Sequence, residues 1–160
     1  MGFRNFRSLL WRETLNAKEY LRQYEYAARR VYRLEKELEE EYLLIDSVRS
    51  LSDLDGLPHG TNVSRPVEER AVRIVDKAAE LYEARIEALE LRQEVFETIM
   101  SIDKKDGLAC DVLYERYIHL KPWNKVCETV CYTWPTVRIA WHRGLDLIEL
   151  QINTRTYNEL

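Results

Sequence analysis

The stretch PWNKVCETVCYTWPTVRIAWHRGLDLI, Pro122 to Ile148, places two helix starts in quick succession. Pro122 suits the first turn of a helix from Trp123 to Val130, with Val126, Cys127 and Val130 facing inward. Cys131-Tyr132 then makes a turn, and Thr133 is a good N-cap for a second helix. Pro135 is tolerated there because first-turn amides have no intrahelical acceptor. Val137, Ala140, Gly144, Leu145 and Ile148 give that helix a buried stripe, in which small Ala140 and Gly144 let a crossing helix approach closely. A short helix, a tight turn and a longer helix have helix-turn-helix spacing, a motif whose second helix enters the major groove with its first residues. The outward positions are Trp134, Thr136, Arg138, Ile139, His142 and Arg143. Arg138 has the reach to read guanine, and Thr136 to meet a phosphate or a thymine methyl. Arg143 and Lys125 suit phosphates. With Thr133 these form the candidate DNA-binding set. The same spacing fits a small three-helix subdomain without a ligand, and the stretch alone leaves both open.

Working back along the chain, Leu108, Val112, Leu113 and Tyr117 mark another helix, ended by His119-Leu120-Lys121-Pro122 and preceded by a break at Asp106-Gly107. Further back, Tyr24, Ala27, Val31, Leu34, Leu38, Ile45 and Val48 alternate three and four apart, skipping Glu41. This heptad seam predicts one long helix over about residues 14–50. A second seam runs through Ala71, Val75, Ala78, Tyr82, Leu89, Phe96 and Ile99, widened by Ile74, Leu81, Ala88 and Val95. Between them Gly56, Pro58, Gly60 and Pro66 break the chain, and neither seam contains Gly or Pro. Ser64 is a plausible N-cap for the second helix, with Pro66, Glu68 and Glu69 in its first turn. The expected fold is all-α: a long antiparallel coiled-coil hairpin over residues 1–101 with its loop at 51–66, then a small helix-turn-helix module over 106–153. A parallel pairing between molecules uses the same seams, so a homodimer through the coiled coil stays open.

Composition agrees with few loops and long helices: 160 residues, 32% charged and only 5 Gly. No apolar run approaches membrane-spanning length, and MGFRNFRSLLWRET lacks the apolar core and cleavage site of a signal peptide. Three cysteines fit a reducing compartment, so the expected location is the cytoplasm. The net charge of −4 is unevenly spread: residues 1–33 hold eight Arg/Lys against three Glu, a net of +5, and residues 34–46 reverse it. A solvated helix face is the simpler account of that clustering.

Chemistry offers little. Cys127 and Cys131, four apart, with Cys110 and His119, make a conceivable zinc set, but no CxxC knuckle is present and buried small hydrophobes are the better reading. His59 lies in the hairpin loop and reads as a turn-stabilising group. No Gly-rich phosphate loop, Ser-His-Asp order or carboxylate pair stands out. The expectation is a protein with no catalytic group, metal or cofactor. Of Trp11, Trp123, Trp134 and Trp141, Trp123 reads as core. Trp134 and Trp141 either pack against the stalk or form an exposed patch.

Two segments carry a resemblance. GLPHGTNVSRPVEERAVRIVD is similar to a Pro-His-Gly, Ser, Val…Ile-Val-Asp pattern that precedes a second coiled-coil helix. YERYIHLKPWNKVCETVCYTWPTVRIAWHRGLDLI is similar, without gaps, to the region-4-like helix-turn-helix of sigma-70 factors, with Arg116, Tyr117, Ile118, Trp123, Val126, Val130, Thr133, Val137 and Leu145 at its expected positions. Together, over about residues 25–150, the chain resembles phage- and prophage-encoded regulators of Gram-positive bacteria, the ArpU- and RinA-like late-gene activators. The resemblance implies a transcriptional regulator that binds double-stranded promoter DNA, contacts RNA polymerase and works in the cytoplasm of a bacterial host. The alternative is a protein–protein adaptor whose helix-turn-helix no longer binds DNA. Three departures bear on this. Cys127 replaces a small Ala, Gly144 replaces Ala, and Cys131 replaces the turn Gly, costing about 1 kcal/mol if that residue needs a positive φ. Residues 109–160 also carry equal numbers of acidic and basic side chains, whereas DNA-binding domains normally carry a positive excess. Binding by a monomer is therefore expected to be weak, or helped by a partner or by the basic N-terminal segment.

Overall fold

The computed structural model describes residues 16–53 and 65–158. Residues 1–15 with Trp11, the loop with His59 and the Ser64 cap lie outside them. The described residues form α1 (Ala17–Asp53), α2 (Arg65–Met100), α3 (Gly107–Leu113) running into a π-helical turn (Tyr114–Ile118), α4 (Trp123–Val130) and α5 (Trp134–Asn158). No strand occurs among them, and the all-α expectation holds. No helix among the described residues is long and apolar enough to cross a membrane.

The chain divides into two compact units, one of Ala27–Ala88 and one joining residues 1–26 to residues 89–160. In the first, α1 and α2 run antiparallel. Arg30 reaches Glu87 and Glu80 at 3.2 Å each, Glu35 meets Arg85 at 2.6 Å, and Glu37 meets Lys77 at 2.9 Å, so rising numbers on one helix pair broadly with falling numbers on the other. Such exposed pairs contribute only about 0–1 kcal/mol each, and serve mainly to fix register. The apolar contact is made by Leu34, Leu81 and Ala84, flanked by Val31 and Leu38.

The α1 seam is the one expected from its heptads, with the side chain of Val48 outside the described set. On α2 the structure corrects part of the expectation. Val75, Tyr82 and Leu89 are 65–67% exposed, and Ala71 is exposed too. Ile99 of the seam and the widening residues Ile74, Leu81, Ala88 and Val95 are the buried ones, joined by Ala84. The buried line passes through Lys77 and Thr98, which interrupt its apolar repeat and made it read as a widening of the other line. Lys77 keeps its ammonium at the edge, paired with Glu37, while its stem stays half-covered. Thr98 Oγ1 donates to the Glu94 carbonyl at 2.9 Å and shares a hydrogen bond with the Tyr20 hydroxyl at 3.1 Å. A buried hydroxyl so satisfied carries no desolvation debt.

The second unit centres on Leu21, Val95, Ile99, Ile102, Leu113 and Ile148, all at most 1% exposed. Asp106 starts α3, its Oδ1 accepting from the Ala109 N–H at 3.0 Å. The expected third helix is present, but its last turn is widened. His119 N–H donates to the Tyr114 carbonyl and Lys121 N–H to that of Glu115. Leu120 comes next to this turn with φ 55°, and Arg116 Nη1 holds the Lys121 carbonyl at 2.8 Å. This turn buries both Tyr117 and Ile118, adjacent residues that an unbroken α-helix would spread about 100° apart.

The cysteines depart from the expected buried set. Cys110 is buried, Cys127 half-buried and Cys131 exposed. Burial pushes the Cys110 thiol up to about 11, with Asp103 and Asp111 adding to the effect. An alkylating reagent at pH 8 is therefore expected to modify Cys131 first and Cys110 only when denaturant is added, since the thiolate is the nucleophile. Mass spectrometry after a short pulse reads the order, and early labelling of Cys110 would contradict this packing.

Candidate nucleic-acid interface

α4 and α5 meet through a tight turn whose geometry is set by the backbone. Tyr132 N–H donates to the Cys127 carbonyl at 3.2 Å, closing a Schellman-type cap around Cys131 at φ 59°, ψ 34°. This is the positive φ that the Cys-for-Gly departure made a question. A non-glycine residue there costs about 1–2 kcal/mol, and glycine returns about 0.4–1 kcal/mol of that to the unfolded chain. Cys131→Gly is therefore expected to raise the melting temperature slightly and Cys131→Ala to leave it near the wild-type value. A melting temperature that falls on Cys131→Gly would show the side chain holding the turn.

Thr133 precedes α5, its carbonyl accepting from Val137 N–H at 3.0 Å, with its hydroxyl 3.4 Å from that of Thr136. Val126, Val137 and Ala140, each at most 1% exposed, join Val112 in one small core between α3, α4 and α5. Gly144 is buried as well, where an added Cβ would lie 2.7 Å from Leu113 Cδ1 and 3.3 Å from the Ala109 Cβ. The stripe read from the sequence is thus the one that packs. Its glycine is a close-approach residue.

That packing leaves Arg138, Ile139 and His142 exposed, at helical spacing that puts them on one face of α5. Arg138 makes no ion pair among the described residues. Trp134, 44% exposed, sets its ring edge-on to Trp123 with centroids 5.2 Å apart. Thr136 is half-buried. Two of the eight candidates are already engaged. Lys125 pairs with Glu128 at 2.7 Å, and Arg143 Nε with Asp106 Oδ2 at 2.8 Å. Asp106 therefore caps α3 with one oxygen and holds α5 with the other, a role that no local pattern in the sequence announced.

Trp141, unassigned between stalk and patch, packs against both apolar clusters of the unit. Its Nε1–H donates to the Tyr117 hydroxyl at 3.2 Å, Trp123 lies edge-on at 5.3 Å, and Lys18 stands over the ring at 5.5 Å. Burial pushes the Tyr117 phenol up, partly offset by that hydrogen bond. Arg116 covers Trp123 at 5.2 Å. Glu115 collects Lys121 at 2.6 Å and His119 at 3.0 Å. Burial pushes its carboxyl up, but hydrogen bonds from Lys121 and His119 outweigh it and hold it below the ordinary value. This cluster's contribution is complete above the ordinary carboxylate range and fades as acid protonates Glu115. Among the described residues no three His, Cys, Asp or Glu side chains come together as a metal site.

The described residues define an all-α protein in which two long paired helices are succeeded by two short helices and a longer last one, the final two with helix-turn-helix spacing. No protein-family model, no curated protein and no solved structure matches the chain.

Proposed function

We propose that the chain is a sequence-specific DNA-binding transcriptional regulator that reads promoter DNA with the first turns of α5. The observation that carries this reading is the exposed Arg138, Ile139 and His142 face in the first turns after a short connection opened by the left-handed Cys131, on a helix anchored from behind by Val137, Ala140 and Gly144. An arginine there reads guanine bidentately, and Ile139 offers an apolar contact for a thymine methyl. The resemblance of this segment to sigma-70 region 4, and of the whole to late-gene activators, supports the same assignment and suggests RNA polymerase as a further contact.

A second reading, a protein–protein adaptor, draws on one specific observation. Tyr132, Trp134 and Ile139 are 44–59% exposed at the start of α5, while Lys125 and Arg143 are held in ion pairs. That surface is more apolar and less basic than DNA normally meets. Selection of bound fragments from host and phage DNA, at low and moderate salt, separates the two. A regulator enriches one promoter-like site whose retention weakens as salt rises. Arg138→Ala is then expected to lower affinity for that site by about 5- to 150-fold, the ~1–3 kcal/mol of a bidentate base contact. Unchanged binding by the folded variant, or no enrichment at low salt, would favour the adaptor.

A further inference from the structure

The apolar residues of α2 outside its contact with α1 have a period of their own. Val72, Val75, Ala79, Tyr82, Ile86 and Leu89 alternate three and four apart, two residues behind the buried line and so about 160° round the helix. Val72, Val75, Tyr82 and Leu89 are 60–67% exposed, and Ile86 is half-covered. The repeat closes near Gln93, because Phe96 packs into the core of its own unit, edge-on to Tyr114. An apolar line three heptads long, exposed and in register, is a coiled-coil seam without its second strand.

The flanking charges say which strand fits. With Val72, Ala79 and Ile86 at a and Val75, Tyr82 and Leu89 at d, the e positions are Asp76, Glu83, Glu90 and Glu97. The g positions are Ala71, Ala78, Arg85 and Arg92. An antiparallel pair of such helices sets e against e, four acids facing acids. A parallel pair sets g against the next e of the partner, so Arg85 meets Glu90 and Arg92 meets Glu97 on both sides. Arg85 already holds Glu35, but its side chain is 56% exposed and guanidinium has five donors, enough for a second carboxylate.

We propose that this face is the interface for a second copy of the chain, joined through α2 in parallel and in register. The pairing stacks Val72, Ala79 and Ile86 each on its own counterpart. It also brings the two Met100 ends together, so that the two chains leave their α2 helices side by side. A dimer of this kind holds whether α5 meets DNA or protein.

Sedimentation of the full chain over roughly a hundredfold concentration range tests it, since a dimer of this size dissociates on dilution. The expected result is a rise towards twice the monomer mass, lost in Val75→Glu/Tyr82→Glu while circular dichroism shows the same helix content. Both side chains are exposed, so the glutamates have no core to disrupt. Ala79→Cys and Ile86→Cys, made separately with Cys131→Ser, report the orientation. Both link into disulfide dimers if the strands are parallel and in register, whereas antiparallel strands bring a residue to its own counterpart at one level at most. A monomer throughout, a dimer that survives the glutamates, or linkage at fewer than both positions would overturn the proposal. The assay contains no DNA, so its result is independent of the reading of α5.

Discussion

Gly144→Val is expected to unfold the packing of α5 on α3, and Gly144→Ala to weaken it, although alanine is the better helix former. In an open helix the alanine would gain about 1 kcal/mol. Here its Cβ would sit 2.7 Å from Leu113 Cδ1, 3.2 Å from Leu113 Cγ and 3.3 Å from the Ala109 Cβ. Leu113 and Ala109 are both 0% exposed, so neither can swing into solvent to make room. Overpacking of this kind costs about 1–3 kcal/mol, which exceeds the propensity gain through most of its range. A net loss near 1 kcal/mol is expected for alanine, and well above 3 kcal/mol for valine, whose two further methyl groups meet the same wall. Denaturant midpoints read both, and Leu113→Val should recover part of the alanine loss through a non-additive cycle. A higher midpoint for Gly144→Ala would refute the close approach. The glycine that lowers the helix propensity of α5 is the residue that seats it on α3.

Much of this arrangement was legible in the residues, and the illegible part has physical causes. Pro122, Cys131 and Thr133 marked the ends of α4 and α5 because caps and turns act locally, within one helical turn. The α1 seam was legible because a single apolar line runs along that helix. α2 was legible only in part because it has two, read together as one widened stripe. The more apolar line, through Val75, Tyr82 and Leu89, is the exposed one, and the line facing α1 contains Lys77 and Thr98, whose tolerance depends on Glu37, Glu94 and Tyr20. Periodicity reports that a face is apolar and is silent on what it meets. The candidate interface divides in the same way. The exposure of Arg138 and His142 comes from helical spacing alone, whereas the capture of Arg143 by Asp106 joins residues far apart in sequence. It also changes how the interface should be probed. Removing Arg143 breaks an ion pair to a capping residue and so confounds stability with binding, which leaves Arg138→Ala as the cleaner variant.

Trp141→Ala is expected to cost about 3 kcal/mol, the lower end for aromatic truncations because the ring is only half-buried. The loss comes from what the side chain joins. One ring touches both apolar clusters of its unit, meets Trp123 edge-on at 5.3 Å and lies beneath the Lys18 ammonium. Alanine leaves the two clusters without their shared wall, and leaves the buried Tyr117 hydroxyl without its donor. Trp141→Phe separates these contributions. It keeps an aromatic ring in place but loses the N–H and part of the indole, so its cost should be about 1–2 kcal/mol, one lost hydrogen bond plus a small packing defect. Chemical denaturation monitored by circular dichroism gives both values, and a loss below 1 kcal/mol for alanine would mean that the clusters stand without the ring. The same pair bears on recognition. Trp141 lies on α5 one turn beyond Arg138, yet it faces the core, so Trp141→Phe should leave any site-specific binding intact at a temperature where the protein is folded. Arg138→Ala should do the reverse, keeping the denaturation midpoint and losing the site. If both variants moved both quantities together, the outward face of α5 would be coupled to its packing, and exposure alone would not identify the residues that touch a ligand.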